Sequence, residues 1–459
     1  PVAPGTEGLV AAALGKLIAE KKFGSVPSAF NGVEIPKISE LSGVSVETLE
    51  RLAQIFGGAE HPLAISPGAA LGQSNGLENA KAVLTLNVLV DNLGKPGGVY
   101  LTPDSPLGND YQRSANIAEM ADLVGKMKSG KIKTLFIHGV NPVFELPRSL
   151  GFEAALNQVP NIISFSSFPD ETAMLADYVF PDHTGLESFG YQRIATGSGQ
   201  SMISGSQPVV APFYNTRATT DVFLAAGAIV GGKAALPFKD EVEFIQSKLD
   251  SLIDTRDGFY AAGDMPTFWT NFQQYGGWWQ NSNSQGTPTA VGVLDKPMNI
   301  PTVQYEGDGE FILYPFVSPV LGEAGANKPW LQETPDPTTT VMWNSWLEIN
   351  PKTAEELGIA NDDVVKVISS HGELEISVLT YRAIRPDVVA IPFGQGHSAY
   401  GRYAENRGVN PADLFGNNLN AAGDLAYAGT RVKIVKTGKK RPLSRMEGYT
   451  QFEQSEKKQ

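Results

Sequence analysis

Between residues 115 and 181 the hydrophobic rhythm of the chain keeps switching, and that alternation restricts the fold more than any other feature of the sequence. ANIAEMADLVGKMKSG has helical spacing, TLFIHG is a short apolar strand, FEAALNQV is helical again, and IISFSSF is a second strand. A single helical turn, DETAMLAD, precedes a third short strand, YVFP. Strands joined by helical crossovers predict a parallel sheet, and such sheets bind ligands outside the carboxyl ends of their strands. Two turns lie at such ends, LFIHGVNP and SFSSFPDET, and they follow consecutive strands, so they are expected to border one crevice. In the first, Gly139 lets the backbone come close to a ligand, and Asn141 offers donors and acceptors beside His138. The same stretch also reads as a plain strand end, with Pro142 holding Asn141 extended. In the second, Asp170 is placed to cap the helical turn, with Glu171 and Thr172 at favoured N-terminal positions.

The flanking regions extend this grammar. Residues 9–22 read as a helix, and a second follows from Val46 to Phe56, with Ser45 as its N-cap and Gly57-Gly58 as its stop. HPLAISPGAALGQSNG, residues 61–76, reads as a strand entering a Gly-rich turn, and a long apolar helix is expected over roughly 78–92. This strand–loop–helix grammar marks α/β layers over 1–110 and over 111–255, the latter closed by the helix DEVEFIQSKLDSLID. From 256 to 342 the chain is aromatic and rich in Gly and Pro, which predicts an extended wrapping linker. Trp278, Trp279, Trp330, Trp343 and Trp346 are expected to anchor these connections on a neighbouring domain or subunit. Short strands with one helix, from WLEIN through the VVKVISS–ELEISVLT hairpin and DVVAIPFG to TRVKIVK, predict a small β-barrel over 343–436. The basic cluster KTGKKRPLSR and the residues after it, 437–459, read as a solvated polar tail.

Charge and residue usage exclude several functions. The formal charge of −13, from 36 basic and 49 acidic residues, argues against nucleic acid or an anionic membrane as partner. With no cysteine, the chain can supply no disulfide, iron–sulfur ligand or thiolate to a metal. Its five histidines form neither an HxH nor an HExxH spacing, so no residue is assigned as a metal ligand. The longest apolar run, VFLAAGAIVGG, is too short to span a bilayer, which needs about 20 residues. The sequence opens without Met, and the expectation is a processed chain or a piece of something longer.

Four stretches in fixed order, HGVNP, FPDETAMLADYVFPDHTGLESFG, WLEINPKTAEELGIANDDVVKV and IPFGQGHSAYGRYAENRGVNPADL, resemble the C-terminal part of the molybdopterin oxidoreductase family. These are the large subunits that hold a bis-guanine-dinucleotide molybdenum cofactor. The wording of residues 327–415, NKPWLQETPDP and GRYAENRGVNP above all, is most similar to the polysulfide-reductase type and to the corresponding large subunit in alternative complex III. The resemblance implies α/β parallel-sheet, Rossmann-like lobes followed by a C-terminal double-psi β-barrel. It also implies that HGVNP and the Asp170–Thr172 turn face the nucleotide end of a cofactor, the acidic turn a base or sugar edge rather than a phosphate. The loop GQGHSAYGRY would touch the pterin through Gln395, His397 and Arg402, with Asn410 in the matching loop downstream. His183 and Glu187 in DHTGLESFG are weaker candidates for moving protons, and no residue is assigned as catalytic.

In the family the iron–sulfur cysteines and the molybdenum ligand lie in an N-terminal half that this sequence does not contain. The resemblance therefore implies a partner chain or N-terminal part that completes the large subunit. Iron–sulfur, haem c and quinol-binding membrane subunits would surround it, on the periplasmic side of the inner membrane. Two roles follow: a scaffold with no cofactor of its own in a complex that oxidises quinol, or half of an active enzyme sharing a molybdopterin guanine dinucleotide. An unrelated α/β protein that binds a small ligand is the third possibility.

Overall fold

A computed structural model describes residues 1–66, 68–108, 114–194, 199–231, 236–322 and 324–446. The first lobe is helical: α1 (Glu7–Ile18), extended by a π turn over Ala19–Phe23, α2 (Ile35–Ser42), α3 (Val46–Gly58) and α4 (Gly76–Leu89). Ala13, Leu17, Phe30, Leu49 and Leu86 form its core. Ser45 caps α3 by accepting from the Thr48 amide at 3.2 Å, as its position predicts. The strand expected at 61–66 is absent. Side-chain amides satisfy that backbone instead: Asn87 accepts from the Ala64 N–H and donates to the Ala64 carbonyl, each at 2.9 Å, and Asn92 donates to the Pro62 carbonyl.

The second lobe follows the predicted order. Helix α5 (Ile117–Lys128) starts in a reciprocal capping box between Asn116 and Glu119. After it come β1 (Thr134–His138), α6 (Pro142–Glu145), α7 (Phe152–Leu156), β2 (Asn161–Phe165) and β3 (Tyr178–Val179). The three strands form a parallel sheet in the order β1-β2-β3, with Thr134 opposite Asn161 and His138 opposite Phe165. This register sets the ends of β1 and β2 side by side. Val124, Met127, Ile137, Leu156 and Ile162 pack α5 and α7 against one face of the sheet.

Strands β4 (Gly190–Arg193) and β5 (Met202–Ser206) turn antiparallel, and helices α8 (Thr219–Val230), α9 (Glu241–Leu249) and α10 (Met265–Tyr275) follow. The next strand, β6 (Gly277–Trp279), pairs with β5. The stretch expected to be a wrapping linker thus contains a helix and a strand that complete a core of Ile203, Leu249, Phe268, Phe272 and Trp278. Trp278 is wholly buried there, and Trp346 is buried in a small cluster with Val341 and Leu443, so neither is a surface anchor. Trp330 is exposed, and Trp343 stacks under the Arg407 guanidinium at 4.6 Å.

The barrel also starts earlier than expected. Its strands are β7 (Phe311–Val317), then, beyond α11 (Pro329–Gln332) and β8 (Val341–Met342), β9 (Trp346–Ile349); after α12 (Pro351–Glu356) come β10 (Asp363–Ile368), β11 (Glu373–Thr380), β12 (Val388–Phe393) and β13 (Arg431–Lys440). They close in the order β10-β11-β9-β12-β7-β13 around Leu313, Leu347, Val365, Ile376, Val389 and Val432. The basic segment read as a tail is structured as far as residue 446. Strand β13 runs to Lys440, and β14 (Ser444–Arg445) pairs with β8. Carboxylates on the barrel hold it: Lys436 reaches Asp363 at 2.9 Å, Lys439 reaches Glu375 at 3.0 Å and Arg445 reaches Asp362 at 3.1 Å. Among the described residues no helix is long and apolar enough to cross a membrane.

Candidate functional site

The two turns at the ends of β1 and β2 do meet, and they meet a barrel loop. Asn141 follows β1, and Asp170, Glu171 and Thr172 follow β2. The Oδ1 of Asn141 accepts from the Thr172 amide at 3.2 Å and from the Thr172 hydroxyl at 2.7 Å. That fixes the orientation of the side-chain amide, whose Nδ2 donates to Glu171 Oε2 at 2.7 Å. Asp170 caps the turn, accepting from the Ala173 amide at 2.7 Å.

Glu171 reaches across to the loop after β12. Its Oε1 accepts from the Ser398 amide at 2.8 Å and the Ala399 amide at 3.1 Å, while His397 Nδ1 lies 3.1 and 3.2 Å from the two oxygens. With Asn141, four donors converge on one carboxylate that is only 9% exposed. Burial pushes the Glu171 pKa up, but hydrogen bonds from His397, Asn141 and Ala399 outweigh it and hold the pKa down, at about 2. Because an ionised carboxylate only accepts, Nδ1 of His397 carries the proton. The imidazole is stacked on Phe144, ring centroids 3.7 Å apart, with Tyr400 on it at 4.9 Å. Further contacts join the same surfaces: Tyr400 N–H donates to the Pro169 carbonyl at 2.9 Å and Asn410 Nδ2 to the Phe144 carbonyl at 2.7 Å.

The expected residues therefore sort into two groups. Asn141, Asp170, Glu171, Thr172, His397 and Asn410 come together at the boundary between lobe and barrel. The others do not join the Glu171 network. His138 bonds Asp182 at 2.7 Å, and Gly139 takes a positive φ of 65° in the turn with open space where a Cβ would lie. Gln395 pairs with Gln332 at 2.7 Å in a separate buried contact. Arg402 is exposed and lies over the Tyr403 ring at 4.7 Å, outside the Glu171 network. His183 bonds the Thr216 hydroxyl at 2.7 Å, and Glu187 accepts from the Thr184 and Phe213 amides, each at 3.1 Å; both hold a surface loop. Phe144 was missed by sequence reasoning, although it stands only three residues after Asn141 in the same turn.

A cleft of about 320 Å³ opens beside the junction, lined by Val143, Phe144, Met174, Leu175 and the Ser398–Ala399 backbone among others. Its charged lining is Glu153, Glu171, Asp413 and Arg148, and Arg148 is already paired with Asp413 at 2.6 Å. Phosphates fit poorly among these carboxylates. A guanine edge offers donors that need acceptors, and the Glu171 carboxylate is already taken by protein donors. One atom points the other way: Nε2 of His397 is buried without a hydrogen-bond partner among the described residues. As arranged, the junction does not fit a nucleotide at Glu171.

The site is thus a junction between the strand-end turns of a parallel α/β lobe and a loop of a closed barrel. The chain belongs to the molybdopterin oxidoreductase family: residues 31–226 match that family, and residues 330–418 match the molydopterin dinucleotide binding domain. Over 95% of its length it is 26% identical to the menaquinone reductase, molybdopterin-binding-like subunit of Nitratidesulfovibrio vulgaris, covering 62% of that protein. It is 23% identical to the arsenate respiratory reductase molybdopterin-containing subunit ArrA of Shewanella sp. strain ANA-3, over 87% of this chain and 60% of that one. The chain thus spans about three fifths of these relatives. In fold it is similar to acetylene hydratase from Pelobacter acetylenicus, with a TM-score of 0.67 at 15% identity, covering 95% of this chain and 71% of that one.

Proposed function

We propose that this chain is the scaffold part of the large subunit of a quinone-linked, membrane-associated respiratory complex, most like alternative complex III, and that it holds no redox centre of its own. One observation carries this reading: the Glu171 carboxylate, at the position where the family resemblance expects a nucleotide edge, is saturated by Asn141, His397, Ser398 and Ala399. The carboxylate is engaged by protein groups although a cleft opens beside it, so in this reading the residues around it act in packing. Similarity to a menaquinone reductase, molybdopterin-binding-like subunit supports both the quinone link and the scaffold role. In this reading a partner chain or N-terminal part completes the lobes, iron–sulfur and haem c subunits carry the electrons, and the quinol site lies on a membrane partner. The assembly faces the periplasm.

The second reading, a shared molybdopterin guanine dinucleotide in an active enzyme, is favoured by the unpartnered Nε2 of His397. In that case His397 would accept a hydrogen bond from the group, which would supply two-electron redox chemistry when bound. Substitution separates the two. With the complex assembled, Asn141→Ala and Arg402→Ala are expected to leave quinol oxidation by the native assembly within about twofold of wild type. A loss of activity of tenfold or more in an intact complex contradicts the scaffold reading.

A further inference from the structure

The barrel loop at Glu171 is held by contacts within the barrel itself. Gly396, at φ 98°, lies so close to the neighbouring loop that a Cβ on it would sit 2.2 Å from the Asn410 nitrogen. Its N–H donates to the Arg407 carbonyl at 2.8 Å. Gly408 is equally confined, since a Cβ there would lie 2.3 Å from Ser345 Oγ. The Ser398 and Ala399 amides that follow are therefore positioned by backbone packing inside the barrel. Two successive N–H groups aimed at one oxygen form a concave anion acceptor.

The remaining walls are equally fixed. Thr172 holds the Asn141 amide so that its Nδ2 faces inward, and the Phe144 ring lies flat on the His397 imidazole. No lysine or arginine donates to the carboxylate among the described residues, and the carboxylate of Asp170 belongs to the adjacent residue, so the surroundings favour a single negative charge over a dianion.

We infer that Asn141, His397 and the Ser398–Ala399 amides form a carboxylate-binding slot that Glu171 fills from the lobe, as an internal ligand joining lobe to barrel. This rests on the scaffold reading, in which no cofactor displaces Glu171. The slot takes a small monovalent carboxylate such as acetate or formate once the tethered one is removed, and it rejects phosphate.

The experiment is chemical rescue of Glu171→Ala in the purified native assembly, with thermal unfolding followed while sodium acetate is titrated against sodium chloride at constant ionic strength. The variant is expected to melt roughly 5 °C below wild type, and saturating acetate to recover about half of that shift, with no response in wild type or to phosphate. An unresponsive variant, or an equal response in wild type, overturns the slot. Should Glu171→Ala fail to assemble, Glu171→Gln keeps the volume and fills the slot with an amide. It is expected to show no acetate response and at least threefold faster proteolysis between lobe and barrel; proteolysis at the wild-type rate overturns the proposal. Guanosine monophosphate added to wild type reports separately on the scaffold reading: a rise in melting temperature would refute that reading, while the acetate response of Glu171→Ala would still stand.

Discussion

At the scale of single residues, Glu171 is where the contacts of the junction converge, with four donors on its carboxylate. Asn141 and His397 are buried with it, and the bonds from the Ser398 and Ala399 amides are part-buried, so neutralising it leaves these donors facing an amide that cannot satisfy them all. Glu171→Gln is expected to cost about 1.5–3 kcal/mol of stability at neutral pH, measured by denaturant unfolding. The pH dependence has a definite sign. The folded pKa is lowered to about 2 from an ordinary value of 4.5, so this stabilisation is complete above pH 4.5 and is lost as pH falls through 2. The difference between wild type and Glu171→Gln should therefore shrink over that window; a difference that stays constant would show that the charge is not what matters. Several of these residues were legible in the sequence, because a strand-end turn with Gly, Asn and Pro, and a turn opening with Asp-Glu-Thr, announce polar groups at sheet termini. What the sequence concealed was their partners. Nothing in the spacing of Glu171 and Ser398, 227 positions apart, says that the carboxylate of one would cap the amide of the other.

At the scale of elements, periodic segments were readable and irregular ones were not. Helices α3 and α5 and strands β1 and β2 follow directly from their caps and apolar spacing. FILYPFV, which is β7, is as apolar as any strand in the chain, yet its Gly- and Pro-rich surroundings disguised it as linker, and only barrel closure between β12 and β13 reveals its role. The segment at 61–66 failed in the opposite sense: its pattern fits a strand, but Asn87 and Asn92 take the hydrogen bonds a neighbouring strand would have made. The barrel loops yield a test at this scale. Gly396→Ala places a methyl group 2.2 Å from a backbone nitrogen at a φ that side chains rarely adopt, so the loop must shift. It is expected to destabilise the chain by about 1–3 kcal/mol in thermal unfolding and to abolish any acetate rescue of Glu171→Ala. A Gly396→Ala chain as stable as wild type would mean that the loop is not preset by backbone packing.

At the scale of the whole molecule, the lobes and barrel are held by bonds between protein groups: Glu171 to the Ser398–Ala399 loop, Tyr400 to Pro169, Asn410 to Phe144, and Arg148 to Asp413. In the proposed scaffold reading these bonds take the place of contacts to a cofactor. In the proposed reading, a chain with no cysteine to ligate an iron–sulfur cluster leaves electron transfer to its partners. The most direct measurement is elemental analysis of the purified native assembly for molybdenum and tungsten, normalised to this chain, alongside assay of its quinol oxidation. Well below one tenth of a metal per chain in an active complex is the result predicted here; close to one metal per chain would contradict the account and make Asn141, His397 and Asn410 cofactor contacts.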